Sequence, residues 1–246
     1  MSLRHSLECV GSHFFRYRSY LPLLLLPLAV DAFASFSLLQ GSPEATQAWQ
    51  WLCLGVSLSG LAVRILTVGF VPRHTSGRNT TGQVAASLNT TGIYSLVRHP
   101  LYLGNYLIFL GFTLFFHSWR FTLLSTCLFA LYYERIMLAE EDFLRTKFGQ
   151  DFEFWAARTP TIIPRFSNWK PPALPFSWRS VFAREYSVVL LIAAIFWTQD
   201  VIGHSLVQGR VEISWPWSAL LMVGAAVYLV LMILKKHTPY LRAAGR

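Results

Sequence analysis

The chain has 246 residues, a net charge of +9, and 13% charged against 54% hydrophobic residues. A soluble domain of this length carries about 25% charged residues to keep its surface in water, so the composition excludes an ordinary soluble fold and points to one membrane-embedded bundle. Cys9, Cys53 and Cys127 share no CxxC or metal-like spacing, which argues against a disulfide framework or a zinc site, and no metal is expected.

The first twenty residues lack an apolar core followed by a small-residue cleavage site, so they do not read as a cleaved signal peptide. Six apolar runs follow, at 21–39 (broken by Asp31), 49–70 (carrying Arg64), 101–116, 121–133, 186–202 and 217–234. The third and fourth are shorter than the ~20 residues that span the hydrocarbon. Separated only by His117-Ser118-Trp119-Arg120, they read as a tight helical hairpin extended by its flanks. Helices satisfy every backbone polar group within lipid, so the expected fold is all-α: a polytopic bundle of about six spans. With the N-terminus inside, the inner segments hold 18 Lys and Arg, whereas the outer loops hold Arg120 and Arg210. That asymmetry places both termini in the cytoplasm and explains the positive charge by topology, without a nucleic-acid partner. Such a basic belt also suits anionic headgroups. The Asn-x-Thr triplets at Asn79 and Asn89 fall on this inner side, against a glycosylation reading. The Pro- and Trp-rich stretch 167–180 reads as an interfacial connector, dividing a four-span core (1–166) from two further spans (167–246).

Two inner blocks carry the unusual polar residues. In the first, Arg98-His99-Pro100 precedes the third span; Pro is favoured at the first helical position, so the helix is expected to begin there. Its free amides, with Arg and His beside them, form an anion site, although a snorkelling basic end would look the same. Gly104 and Gly111 lie seven apart on one face, where a ligand or another helix can approach. In the second block, Glu134, Glu140, Glu141 and Asp142 follow the fourth span. They read either as a solvated end, with Glu141 pairing with Arg145, or as a functional cluster facing the third span's mouth. A positive helix end opposite paired carboxylates would hold an amino acid moiety by both of its charges. Leu144, Phe148, Phe152 and Trp155 recur at helical spacing as an amphipathic stripe. Arg64 reads as snorkelling or as paired with Asp31.

Gly92-Ile93-Tyr94, the run Arg98-His99-Pro100-Leu101-Tyr102-Leu103-Gly104, the pair Glu140-Glu141 and Phe148-Gly149 resemble the isoprenylcysteine carboxyl methyltransferase and phospholipid methyltransferase superfamily over about 75–165. The first block, TTGQVAASLNTTGIYSLVRHPLYLGN, looks like its bacterial members, lipid A 1-phosphate methyltransferases among them. The resemblance implies S-adenosylmethionine as cofactor and S-adenosylhomocysteine as product. It also implies a cofactor site lined by Tyr94, His99, Pro100, Leu101, Tyr102 and Gly104, with Glu140 and Glu141 at the amino acid end. Two family tyrosines after Phe-Gly stand here as Phe152 and Trp155. The family's arginine four residues before the acidic pair is replaced by Ile136, with Arg135 one step away.

The expected activity is methyl transfer to a membrane lipid headgroup at the cytoplasmic face of, most simply, a bacterial inner membrane. Arg98 and Arg135 are the candidate catalytic residues; Arg64 and Arg73 are the candidate substrate-binding residues. Guanidinium groups pair bidentately with phosphate, which favours an anionic acceptor such as a lipid A phosphate. A phospholipid amine and a prenylcysteine carboxylate are alternatives. From other classes, an NADPH-dependent sterol-type reductase carries a similar RHPxYxG segment, and a non-catalytic scaffold would bind neither cofactor.

Overall fold

Ser42, Ser118 and Ser177 each accept a hydrogen bond on the side-chain oxygen from the amide three residues on, those of Ala45, Phe121 and Ser180. Such caps satisfy donors that a helix start leaves unpaired, and each opens one of the long helices. The computed structural model describes residues 25–72 and 85–241. In chain order the helices are α1 (Leu26–Ala34), α2 (Pro43–Phe70), α3 (Pro100–Leu114), α4 (Trp119–Phe148), α5 (Gln150–Ala156), α6 (Trp178–Gln208) and α7 (Trp215–His237). Short 3-10 turns occupy Leu39–Gly41, Ile93–Ser95 and Phe166–Asn168. Among the described residues there is no strand, only an isolated bridge between Gly92 and Lys170.

The fold is an all-α membrane bundle. α2, α4, α6 and α7 are each long and apolar enough to cross a bilayer, while α3 and the region Leu26–Gly41 are shorter apolar pieces. The first expected run, 21–39, differs from expectation in its described part. Its helix stops at Ala34, and the chain then turns through Gln40, at φ 52°. The third and fourth runs do form the hairpin, joined through 115–118. With 30 residues, α4 is about 45 Å long, more than the ~30 Å of hydrocarbon; the acidic pair lies in its C-terminal third.

The tightest pairing is α2 against α3, and glycine makes it possible. A Cβ on Gly104 would stand 2.9 Å from the Gly60 carbonyl oxygen, and one on Gly111 would stand 2.2 Å from Ser57 Oγ. The face shared by Gly104 and Gly111 is therefore taken by a helix. Ser57 Oγ donates to the Ile108 carbonyl at 2.9 Å, and Trp49 Nε1 donates to that of Leu114 at 2.8 Å. α6 joins the same core: Phe196 packs on Phe112 and Phe115, and Gln199 Nε2 donates to the Phe112 carbonyl at 2.9 Å. α7 lies along α6, with Trp217 buried against Phe196 and Trp51.

Candidate active site

Pro100 is the first residue of α3, as its missing N–H favours, and His99 is the N-cap residue. The amides of Tyr102 and Leu103 both close onto the His99 carbonyl at 3.1 Å. The hairpin brings α4 alongside, so Glu140 and Glu141 meet this helix start. His99 Nε2 lies 3.0 Å from Glu141 Oε1, and Nδ1 lies 3.6 Å from Glu140 Oε2. Arg98 Nη1 donates to Glu141 Oε2 at 3.3 Å, and its Nη2 donates to Thr161 Oγ1. The Tyr102 hydroxyl donates to Glu140 Oε2 at 2.8 Å while its ring stacks on His99 at 5.4 Å. The basic helix end and the carboxylates thus pair with each other, rather than standing apart around an open gap.

This pairing corrects one local reading. Glu141 does not pair with Arg145, which turns instead to Glu153 and, at 4.0 Å, to Asp142. The reversal at Gly149, at φ 54°, produces that geometry and also splits the expected stripe. Phe148 ends α4, whereas Phe152 and Trp155 belong to α5. Phe152 is fully buried, and Trp155 Nε1 donates to the Tyr94 carbonyl at 3.0 Å. Beyond α5, an extended segment runs beside the motif. The amides of Arg98 and His99 donate to the carbonyls of Pro160 and Thr161, and that of Arg165 donates to the carbonyl of Leu96.

Charge in the cluster is set by enclosure. Burial alone would lower the pKa of His99, but its contacts with Glu140 and Glu141 outweigh burial and raise it above the ordinary 6.5. Arg98, and His99 when it is protonated, balance the charge of the two carboxylates. Burial raises the Tyr94 phenol, and the negative charge of Glu140 adds to the rise, with Arg184 opposing it; Tyr94 stays a neutral donor. It also lines a cavity of about 180 Å³ together with Thr67, Asn89, Thr90 and Thr91, whereas the other residues of the cluster do not.

The remaining predicted residues separate. Gly104 sits against Arg64, so close that a Cβ there would stand 2.6 Å from Arg64 Cγ. Arg64 is paired not with Asp31, which is exposed on α1, but with Glu185 of α6: Nε to Oε2 at 2.8 Å and Nη2 to Oε1 at 2.9 Å. Arg135 lies 3.9 Å from its own neighbour Glu134. The inward position beside it belongs to Ile136, wholly buried with Tyr132 and against Tyr102 and Tyr133. Pro100 is buried and Leu101 half-buried at the start of α3. Arg73 falls outside the described residues. Sequence reasoning missed Thr161, Asn105, Tyr133 and Glu185. Only Glu185 carried a signal, as an acid near the start of an apolar run.

The donor set suits a group bearing both an ammonium and a carboxylate. Glu140 supplies an acceptor for the first, and Arg98 Nε is a buried donor with no hydrogen-bond partner among the described residues. Among the described residues, no group of three or more His, Cys, Asp or Glu is placed to hold a metal ion.

Residues 52–151 match the phospholipid methyltransferase family. Two bacterial relatives are named for metal resistance. The cobalt-zinc-cadmium resistance protein CzcN of Cupriavidus metallidurans is 35% identical over 143 residues, covering 57% of this chain and 63% of its own. The nickel-cobalt-cadmium resistance protein NccN of Alcaligenes xylosoxydans xylosoxydans is 32% identical over 133 residues, 53% and 59% respectively. The protein-S-isoprenylcysteine O-methyltransferase of Schizosaccharomyces pombe is 30% identical over 119 residues, 48% of this chain and 49% of that protein. The chain thus covers about half to three-fifths of the length of these relatives. No solved structure matches.

Proposed function

We propose, from the match of residues 52–151 to the phospholipid methyltransferase family and the likeness to an isoprenylcysteine methyltransferase, that the chain is an integral membrane enzyme that moves a methyl group from S-adenosylmethionine to a lipid headgroup. The observation that carries the reading is the cluster of Arg98, Tyr102, Glu140 and Glu141, each half-buried, around the buried His99, with an Arg98 Nε that has no hydrogen-bond partner among the described residues. S-adenosylmethionine would supply a methyl group made electrophilic by the sulfonium. Glu140 would hold its ammonium and Arg98 its carboxylate, with Glu141 fixing Arg98 and His99 in place. Catalysis then rests on position, because methyl transfer needs its two partners aligned in line.

The acceptor we favour is an anionic headgroup at the cytoplasmic face, a lipid phosphate of the lipid A type first. An ionised phosphate needs no base at neutral pH, and Arg64 keeps N–H groups beyond those its protein partners use. The 18-to-2 asymmetry of Lys and Arg supports the inner face and cytoplasmic termini. One observation favours an amine acceptor instead. Arg64, Arg98 and Arg135 each stand beside a carboxylate, Glu185, Glu141 and Glu134, so the local field is less positive than the arginine count, and a glutamate is at hand to take a proton. Radiolabelled S-adenosylmethionine offered in parallel with phosphatidylethanolamine and a phosphate-bearing glycolipid separates the two. Label on the glycolipid phosphate is expected. Label confined to the ethanolamine nitrogen selects the amine reading, and label on neither lipid rejects both acceptors.

A further inference from the structure

The Arg64–Glu185 pair lies outside the cluster just described, yet it touches it through side chains. Glu185 is 3% exposed and sits two turns into α6, beyond the family-matched residues 52–151. Its two oxygens take Nε and Nη2 of Arg64, while Nη1 donates to Asn105 Oδ1. Asn105 Nδ2 donates to the Tyr133 hydroxyl at 3.3 Å. The Tyr133 ring meets Tyr102 edge-on at 5.0 Å, and Tyr102 donates to Glu140. Arg64 reaches this line only because Gly104 has no Cβ to obstruct it. A carboxylate and a guanidinium enclosed in a membrane bundle are costly, and removing either leaves the other uncompensated. For helix docking alone, apolar side chains of similar size would serve as well.

The geometry points to Glu185 as a positioning residue: it fixes Arg64 across Gly104 and aims the rest of the guanidinium at an anionic headgroup. This rests on the reading of Arg64 as an acceptor-binding residue. Of the five N–H groups on Arg64, three are used by Glu185 and Asn105, leaving one on each terminal nitrogen for a phosphate or carboxylate. The helix appended beyond the family-matched region thereby takes part in acceptor selection.

Charge and position predict opposite outcomes for Glu185→Gln, which deletes a negative charge beside Arg64. If Arg64 acted by its field alone, an anion would then bind more tightly. The purified full chain in neutral detergent is compared with Glu185→Gln, Glu185→Asp, Arg64→Lys and the Arg64→Lys/Glu185→Gln double variant. Dodecyl phosphate and S-adenosylhomocysteine binding are read by calorimetry, and methyl transfer by label. The expected result is dodecyl phosphate binding about tenfold weaker in Glu185→Gln, as for one charge-assisted bond poorly made, and similarly weaker in Arg64→Lys. Glu185→Asp should retain most of the affinity, the double variant should be no weaker than Arg64→Lys, and S-adenosylhomocysteine affinity should stay within about twofold. Equal or tighter dodecyl phosphate binding in Glu185→Gln overturns the proposal, as does a parallel loss of S-adenosylhomocysteine affinity or no binding by the parent. If Glu185→Gln fails to fold, Arg64→Lys against Glu185→Asp decides by the same ordering. A parent that transfers no methyl group refutes the enzymatic reading, while the dodecyl phosphate ordering still judges Glu185.

Discussion

Glu140 and Glu141 are adjacent carboxylates with different surroundings, so charge removal should separate their effects. Glu141 has a 14% exposed side chain and holds both His99, at 3.0 Å, and Arg98, at 3.3 Å. A charge-assisted hydrogen bond is worth ~1.5–3 kcal/mol. The shorter contact falls in that range; the longer is worth less, and the Gln amide oxygen retains one acceptor. Glu141→Gln should therefore cost about 3 kcal/mol of stability, which at ~2–4 °C per kcal/mol for a chain this size lowers the melting midpoint by roughly 6–12 °C. The Glu140 side chain is 35% exposed, 3.6 Å from His99, and accepts from a neutral tyrosine that Gln would still accept. Glu140→Gln should cost under ~1 kcal/mol in folding. Losing a carboxylate that faces a ligand ammonium should nonetheless weaken S-adenosylhomocysteine binding by roughly 10- to 100-fold. Thermal unfolding in detergent and calorimetry on both variants give the comparison. Equal melting losses, together with normal binding by Glu140→Gln, would refute the assignment of Glu140 to the ligand and Glu141 to the scaffold.

His99 carries a raised pKa, so its pairing with the carboxylates is fully stabilising below the unfolded value near 6.5 and is lost as pH rises through the folded value. Melting midpoints should decline as pH climbs above about 6.5, and His99→Gln should flatten the decline; an identical slope in the variant would rule out His99 as its source. Gly111→Ala places a Cβ 2.2 Å from Ser57 Oγ and 2.4 Å from the Cys53 carbonyl oxygen, which overpacking predicts to cost ~1–3 kcal/mol or more, measurable as a lowered unfolding midpoint; an unchanged midpoint would mean α2 and α3 are not so closely apposed. Trp155→Phe deprives the Tyr94 carbonyl of its donor and should cost about 1 kcal/mol with a several-fold loss of S-adenosylhomocysteine affinity; calorimetry on that variant is the check, and unchanged affinity would detach Trp155 from the site.

Signals local in sequence survived folding. Pro100 starts α3, and four residues between two apolar runs sufficed to put Glu140 and Glu141 opposite Arg98-His99. What failed were assignments of partners. Arg145 was within one turn of Glu141, yet the chain reverses at Gly149 and brings Glu153 to it. Asp31 was the nearest acid in an earlier apolar run, but Arg64 found Glu185, 121 residues away, because α6 packs into the α2–α3 core. Which helix fills the Gly104–Gly111 face is likewise a property of packing, invisible in spacing alone. Arg135 shows the opposite limit: one position along α4 turns a side chain by about 100°, so the inward place beside Tyr102 went to Ile136.

On the proposed function, the Arg98–His99–Glu140–Glu141 cluster holds the amino acid end of S-adenosylmethionine. Calorimetric titration of the purified chain with S-adenosylhomocysteine, and separately with NADPH, tests it most directly. Saturable one-to-one binding of S-adenosylhomocysteine is expected, roughly 10- to 100-fold weaker in Glu140→Gln, with no heat from NADPH. Binding of NADPH with no response to S-adenosylhomocysteine would contradict it and assign the cluster to a reductase.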